Sequence, residues 1–262
     1  YSGVKSSQPA MQNPPNPSIR IDGPAAGEDE NNNEIVSAFA AAASPVWRQE
    51  ARSLCREYIG HRLYRAGCMT PSLLYSLPPN AGSQTSQRLR RLCHRLELLH
   101  PAVFAQPLTG QLGLTLLPTN GVTDAVAMAT IRRAYRKFAR RLLSMPPDCD
   151  WDWGRPVALF CMAGAFAVDY ASARMQLRLL GGRSCEQAIE SLAECLSECL
   201  AECAVECSEL FDWLTERGGW VFPDPETSAF ANRSGQHDGA TVWQKILARC
   251  VQYYYQLLGR CA

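Results

Sequence analysis

The chain has 262 residues, room for one large or two small domains. Hydrophobic residues make up 47% and charged residues 19%, which supports a sizeable core and excludes global disorder. With 26 basic and 25 acidic side chains the net charge is +1, without the basic excess of a dedicated nucleic-acid binder.

The 12 cysteines are too dilute for a small disulfide scaffold and do not fall in paired spacings. The chain opens on Tyr1 rather than Met, which leaves room for an upstream piece, and no secretory signal pattern is visible. A reducing, cytoplasmic setting with free thiols is therefore expected, and the sequon Asn232-Arg233-Ser234 is read as chance. No run of about 18 uncharged apolar residues is present; Pro156 to Val168 has only the length of a buried core helix.

In chain order, residues 1–33 combine Pro, Gly, Asn and Ser with an acidic run, and are expected to form a disordered arm. From Glu34 the pattern is helical, and residues 34–222 read as one all-α domain. Ser44-Pro45 suits the start of a first helix, whose apolar face holds Trp47, Ala51, Leu54, Cys55, Tyr58 and Ile59. Gly67 is its expected C-cap. After a polar loop from Thr70 to Ser86, a second helix carries Leu89, Leu92, Leu96 and Leu99 and closes near Pro101.

A third helix from about Thr123-Asp124 to Leu142 has a wholly basic polar face: Arg132, Arg133, Arg136, Lys137, Arg140 and Arg141. That face suits solvent or anionic lipid headgroups. The segment from Trp153 to about Tyr170 is apolar nearly all round, which places it at the centre of a bundle. A long helix is expected from about Ser184 to Glu216, with Glu-Cys pairs at 194–195, 198–199, 202–203 and 206–207. Cysteines four apart rise about 6 Å per step, so four in a row cannot close one tetrahedral metal site. They are read as small apolar core residues opposite wet glutamates; a metal- or redox-responsive thiol helix is the remote alternative. Residues 223–240 form a polar linker, and 241–262 an amphipathic helix too interrupted by charge to span a bilayer. That last helix is expected to lie at a membrane interface or to pack on the protein itself.

No glycine-rich phosphate loop, nucleophile elbow or two-histidine metal helix is present, so neither an enzyme nor a metal or cofactor site is expected. Four other stretches carry information. WGRPVALF places Trp153, Gly154 and Arg155 at the mouth of the apolar helix, where a guanidinium could fork onto a carboxylate. WLTERGGW uses Gly218 and Gly219 to end a helix and fold Trp220 back onto the core, beside Trp213. The leucine ladder at 89, 92, 96 and 99 has the spacing of a helix seated in a groove. REYIGHRLYRAG closes the first helix.

In this order the four stretches resemble the homology motifs of the Bcl-2 family of apoptosis regulators, on its Bok branch. The first helix is similar to motif four, the ladder to motif three, WGRPVALF to motif one and WLTERGGW to motif two. RLELLHPAVF, VTDAVA and AFAVDY carry the Bok-like character. The resemblance implies a helical bundle with a surface groove that binds motif-three (BH3) helices of other members. Trp153, Gly154, Arg155, Asp152, Leu89, Leu92, Leu96, Leu99, Phe104 and Val157 would form that groove, and Trp213, Gly218, Gly219 and Trp220 the motif-two part. It further implies homo- or hetero-oligomers, membrane-surface association at mitochondria or the endoplasmic reticulum, and control of membrane permeability. A pro-apoptotic effector is the favoured role, with a survival protein that sequesters motif-three helices as the alternative.

Two departures stand out. Where the family carries a small residue and an aspartate in motif three, this chain has Cys93 and His94. Asp152, just before Trp153, would oppose or compete with a partner's aspartate at Arg155.

Overall fold

The computed structural model describes residues 28–68, 83–111, 124–144, 151, 153–179 and 186–224. The arm before residue 28, Asp152, most of the linker and the C-terminal amphipathic helix lie outside the described residues. The chain falls into two units, Tyr1–Phe39 and Ala40–Ala262. Of the first, residues 28–39 are helical; all packing below lies within the second.

Among the described residues the protein is all-α. Helix α1 is Glu28–Arg65, α2 Gln84–Leu99, α3 the single turn Pro101–Phe104, and α4 Asp124–Leu143. Helix α5 is Gly154–Leu179, α6 Glu186–Glu206 and α7 Ser208–Glu216, with one π-helical turn at Pro107–Gln111.

Helix α5 is the central element. Every residue from Gly154 to Ala167 is buried, so its all-round apolar character is met by neighbours on each side. It extends to Leu179, beyond the expected end near Tyr170, because its later residues keep packing: Tyr170, Ala171 and Ala173 are buried. By length and composition alone, Gly154–Met175 could cross a membrane, and 89% of its most apolar window is buried inside the protein. The one carboxylate in that stretch, Asp169, is buried and fully used. It accepts hydrogen bonds from Leu108 N (2.7 Å), Thr109 N (2.9 Å) and Thr109 Oγ1 (2.7 Å), pinning the π-helical turn against α5.

The ends of helices behave largely as their residues dictate. Gly67 adopts φ +67°, and Cys68 N and Gly67 N return to Leu63 O and Tyr64 O, a Schellman closure of α1. Pro101 ends α2 and occupies the first turn of α3. Two boundaries differ from expectation. Helix α1 runs through Pro45 from Glu28, so this proline sits inside a helix rather than at its start. The long helix expected over 184–216 breaks at Cys207, which is extended (φ −89°, ψ 100°). No glycine or proline marks that break. It re-aims α7 so that Leu210, Trp213 and Leu214 are buried, a tertiary gain that local periodicity cannot register.

The basic and acidic helices meet. Glu190, Glu194, Glu198, Glu202 and Glu206 form a ridge on α6. On one side Arg48, Arg52 and Arg56 of α1 pair with Glu190, Glu194, Glu198 and Glu202. On the other, Arg132, Arg136 and Arg140 of α4 pair with Glu202 and Glu206. Half of the basic face expected to meet solvent or lipid thus neutralises α6 instead. Cys199 and Cys203 lie buried beside that ridge, and Cys195 and Cys207 are half-buried. Burial raises the Cys195 and Cys207 thiol pKa values, so these groups stay protonated and pack as small apolar side chains. Among the described residues no group of three metal-ligating side chains forms.

Close packing of α1 on α5 requires Gly164. A Cβ there would lie 2.8 Å from Tyr58 Cε1 and 3.0 Å from Arg62 Cγ. Tyr58 cannot retreat, because it is fully buried and its hydroxyl donates to Glu97 at 2.5 Å. Gly164→Ala gains about 1 kcal/mol of helix propensity and loses about 1–3 kcal/mol to overpacking. We expect net destabilisation in chemical denaturation; an unchanged or raised midpoint would contradict this packing.

Glu202 contacts three arginines, Arg48, Arg132 and Arg136, whereas Glu190 contacts Arg56 alone. All are partly exposed, so each pair is worth only about 0–1 kcal/mol. Glu202→Gln should therefore destabilise more than Glu190→Gln, and the difference should shrink as salt rises. Equal losses at low and high salt would show that the ridge contributes nothing electrostatic.

Candidate groove-forming site

The motif-three helix α2 is held on three sides. Leu89, Leu92 and Leu96 are buried in the main core with Phe104 and Val157, and none of the five lies open on the surface. Leu99, the fourth rung, is 62% exposed, so the ladder leaves the core at its last step. Cys93 is fully buried at the α2–α5 contact, where its Sγ donates to Val157 O (3.9 Å) and Cys161 Sγ donates to Cys93 O (3.7 Å). Such a tight crossing explains why a small residue stands at this position. His94, one residue on, is exposed.

Helix α2 is tied to α1 through acids that its sequence pattern did not single out. Glu97, buried, accepts from Tyr58 and is paired with Arg62 Nε at 2.9 Å, with Arg65 at 3.9 Å. Glu57 of α1, also buried, accepts from the Ser86 hydroxyl and lies 3.5 Å from Arg90. Burial raises the Glu57 carboxyl pKa, while the Ser86 hydrogen bond and Arg90 pull it down. At its start α2 is capped by Ser83, whose side chain accepts from Ser86 N.

Motifs one and two converge on a row of aromatic rings. Trp153 packs edge-on against Trp213 (centroids 4.7 Å) and against Phe222 (4.7 Å). Phe222 meets Phe160 (5.9 Å), which meets Trp220 edge-on (5.6 Å). The row continues to Trp47, whose carbonyl accepts from Trp220 Nε1 at 3.1 Å and whose ring lies 4.9 Å from Phe211. Trp213 Nε1 donates to Trp151 O at 2.9 Å. The indole N–H groups of Trp213 and Trp220 are thereby satisfied while their rings are buried. Arg88 of α2 donates to Phe222 O at 3.2 Å, joining motif three to the same row.

Arg155 stands at the start of α5, 3% exposed, with its guanidinium 4.7 Å from the centroid of the Trp151 ring. Gly154 is buried beside it. Gly218 and Gly219 have φ of +71° and +101°, and their N–H groups return to Thr215 O and Leu214 O. That closure turns the chain so that Trp220 and Phe222 re-enter the core. Arg217 covers the outer face of Trp213 at 4.2 Å.

Thus the structure brings together Trp153, Gly154, Arg155 and Val157 with Trp213, Gly218, Gly219 and Trp220, and places Leu89, Leu92, Leu96 and Phe104 in the adjoining core. Leu99 stands apart, exposed, and Asp152 lies outside the described residues. Trp151, Phe211 and Phe222 belong to the aromatic row without a mark in the sequence, since their spacing is that of any core aromatic, and Trp47, expected on the apolar face of the first helix, joins them.

No family model matches the chain. A zebrafish (Danio rerio) protein, Bcl-2-related ovarian killer protein homolog A, is 31% identical over 146 residues, 51% of this chain and 62% of its own length. The chicken (Gallus gallus) Bcl-2-related ovarian killer protein is 29% identical over 196 residues, 71% of this chain and 78% of its own length. Both relatives are Bcl-2-related proteins, and the chain is similar to them over part of its length. Its likeness is to the Bok proteins, in agreement with the four motifs read from its sequence. A crystal structure of chicken BOK covers 68% of this chain and 93% of its own, at 24% identity and a TM-score of 0.47. Among the described residues the chain forms an all-α bundle around α5.

Removing Trp220 empties a fully enclosed site, and Trp220→Ala should cost about 3–5 kcal/mol. Gly218→Ala meets no atom within 4 Å. Its expected loss comes from the left-handed backbone alone, about 1–2 kcal/mol. Thermal unfolding of the two variants should rank in that order; the reverse order would mean that the turn, not the ring, holds motif two in place.

Proposed function

We propose that this protein belongs to the Bcl-2 family and regulates apoptosis by receiving motif-three helices of other family members and by controlling the permeability of a mitochondrial or reticular membrane. The observation that carries this reading is Arg155, set at the head of the apolar α5 beside Trp153 and the motif-two ring Trp213. A guanidinium in that position can take a carboxylate bidentately in surroundings of low dielectric. Because Arg155 is buried against Trp151, a docking carboxylate reaches it only after local rearrangement.

A Bok-like, death-promoting effector is the favoured role. Its support is the likeness to the two ovarian killer proteins, and a core helix whose length and composition alone suit a bilayer. Insertion of α5 would require the bundle to open, since its neighbours bury it on every side. The second reading, a survival protein that receives motif-three helices and presents none, draws on α2. This helix carries Cys93-His94 in place of a small residue and aspartate, and is locked inward by Cys93, Glu97 and three leucines.

Titration with a motif-three peptide that carries the aspartate tests the groove. Binding is expected, and Arg155→Ala should weaken it roughly tenfold or more, from the loss of one charge-assisted pair. No binding, or no effect of the substitution in a folded variant, would remove the groove from the proposal. Dye release from liposomes separates the two roles: release by the purified protein supports the effector. Absence of release together with protection of cells on expression supports the survival protein.

A further inference from the structure

On the face of the bundle formed by the end of α1 and the beginning of α2 there is a concavity of about 530 Å³. Its lining is His61, Arg65, Gln87, Arg90, Arg91 and His94, with no acid and no apolar side chain among them. We propose that this concavity binds a compact phosphate-class anion. The proposal goes beyond the groove reading and does not depend on it.

Charge is the first argument. Arg62, Arg65, Arg90 and Arg91 gather here on two helices, while the nearby acids, Glu57 and Glu97, are buried and face inward. Glu57 is taken up by the Ser86 hydroxyl and Arg90, and Glu97 by Tyr58, Arg62 and Arg65. Four cations against two committed carboxylates leave the concavity positive even with both histidines neutral. Arg91 and His94 are exposed at its wall, and Arg91 has no carboxylate partner among the described residues.

Hydrogen-bonding capacity is the second. His61 Nδ1 is buried and finds no hydrogen-bond partner among the described residues. A buried polar atom without a partner is uncommon and calls for a group that completes it. An anion resting between Arg65, Arg90 and Arg91 could accept from an imidazole N–H as well as from guanidinium forks. Burial, and then the charges of Arg90, Arg65, Arg62 and His94, hold the His61 pKa below the ordinary histidine value. An anion reverses the second of these causes, so binding and protonation of His61 are linked with a positive sign.

The shape and lining choose among anions. An acidic peptide would need apolar anchors beside its charges, and among the described residues no apolar side chain lines the concavity. A phosphate group presents several acceptor oxygens to converging donors within a small volume, which fits three arginines and two histidines. His94 matters here for its sign. An aspartate at this position would put a fixed negative charge into the wall, whereas histidine adds a donor and, when protonated, a cation.

The test uses the full chain with pyrophosphate as probe, followed by calorimetry and by histidine proton resonances across pH. Saturable binding is expected, with the His61 pKa raised in its presence. The double variant Arg91→Glu/His94→Asp should bind roughly tenfold or more weakly, from the loss of charge-assisted bonds. Arg133→Glu/Lys137→Gln, an equal charge change on the exposed face of α4, should bind as the original does. No binding of pyrophosphate, an unmoved His61 pKa, or equal weakening by both double variants would overturn the site. If the first variant fails to fold, the His61 pKa in the unaltered chain still decides. Flotation with phosphatidylcholine vesicles, with and without phosphatidylinositol bisphosphate, assigns the source. Attachment only to the phosphorylated vesicles identifies a lipid headgroup, and pyrophosphate binding without attachment identifies a soluble phosphate.

Discussion

Everything in this protein depends on enclosing α5, a helix with no polar side to offer solvent. An amphipathic helix needs one neighbour; a helix buried over fourteen successive residues needs them all round. That demand sets the roles of the others. Helix α2 supplies Leu89, Leu92 and Leu96, α4 supplies Ile131, Tyr135 and Phe138, and α6 supplies Leu196, Cys199 and Leu200. Tyr135 donates to Leu159 O at 3.0 Å, so even the polar tip of a core ring is spent on α5. The buried acid along α5 is Asp169, whose carboxylate is tolerated because three donors from one turn of chain surround it.

The same constraint explains why the residues proposed to form the groove lie closed. Arg155 and Trp153 begin the buried helix, so whatever holds its head in place also covers them. The aromatic row from Trp213 to Trp47 does this by large apolar area, with the indole N–H groups of Trp213 and Trp220 satisfied. Cys93 brings α2 within reach of α5, and Glu97 and Glu57 fasten it to α1. A helix so held can be exchanged for another only if several contacts yield together, so the proposed partner binding requires partial opening of the bundle. The proposed phosphate-class site sits on the opposite edge of this problem, where α1 and α2 gather more cations than the two inward acids, Glu57 and Glu97, can neutralise.

Much of the fold was legible in the sequence because it rests on local rules. Glycine at 67 and prolines at 101 and 156 mark ends and starts, and the periods of α2 and α4 are those of half-buried helices. What escaped were features with no local mark. The break at Cys207 has neither glycine nor proline, and the continuation of α1 through Pro45 goes against the usual place of that residue. The alternation of Glu and Cys on α6 showed a wet and a dry face, but not that arginines from two separate helices would fill the wet one.

By itself, the sequence determined the all-α class and the buried helix, because composition and spacing encode burial and capping residue by residue, and its four motifs carried the resemblance to the Bcl-2 family. Its near-neutral charge already concealed 9 acids without a base in 184–216 and basic helices elsewhere. Only the tertiary structure decided where those charges go. Three arginines of α1 and three of α4 close on the α6 ridge, while Arg65, Arg90, Arg91 and two histidines are left to line one concavity. Whether a charge is neutralised or left to bind depends on which helix lies beside it, and that distance in space is not written in distance along the chain.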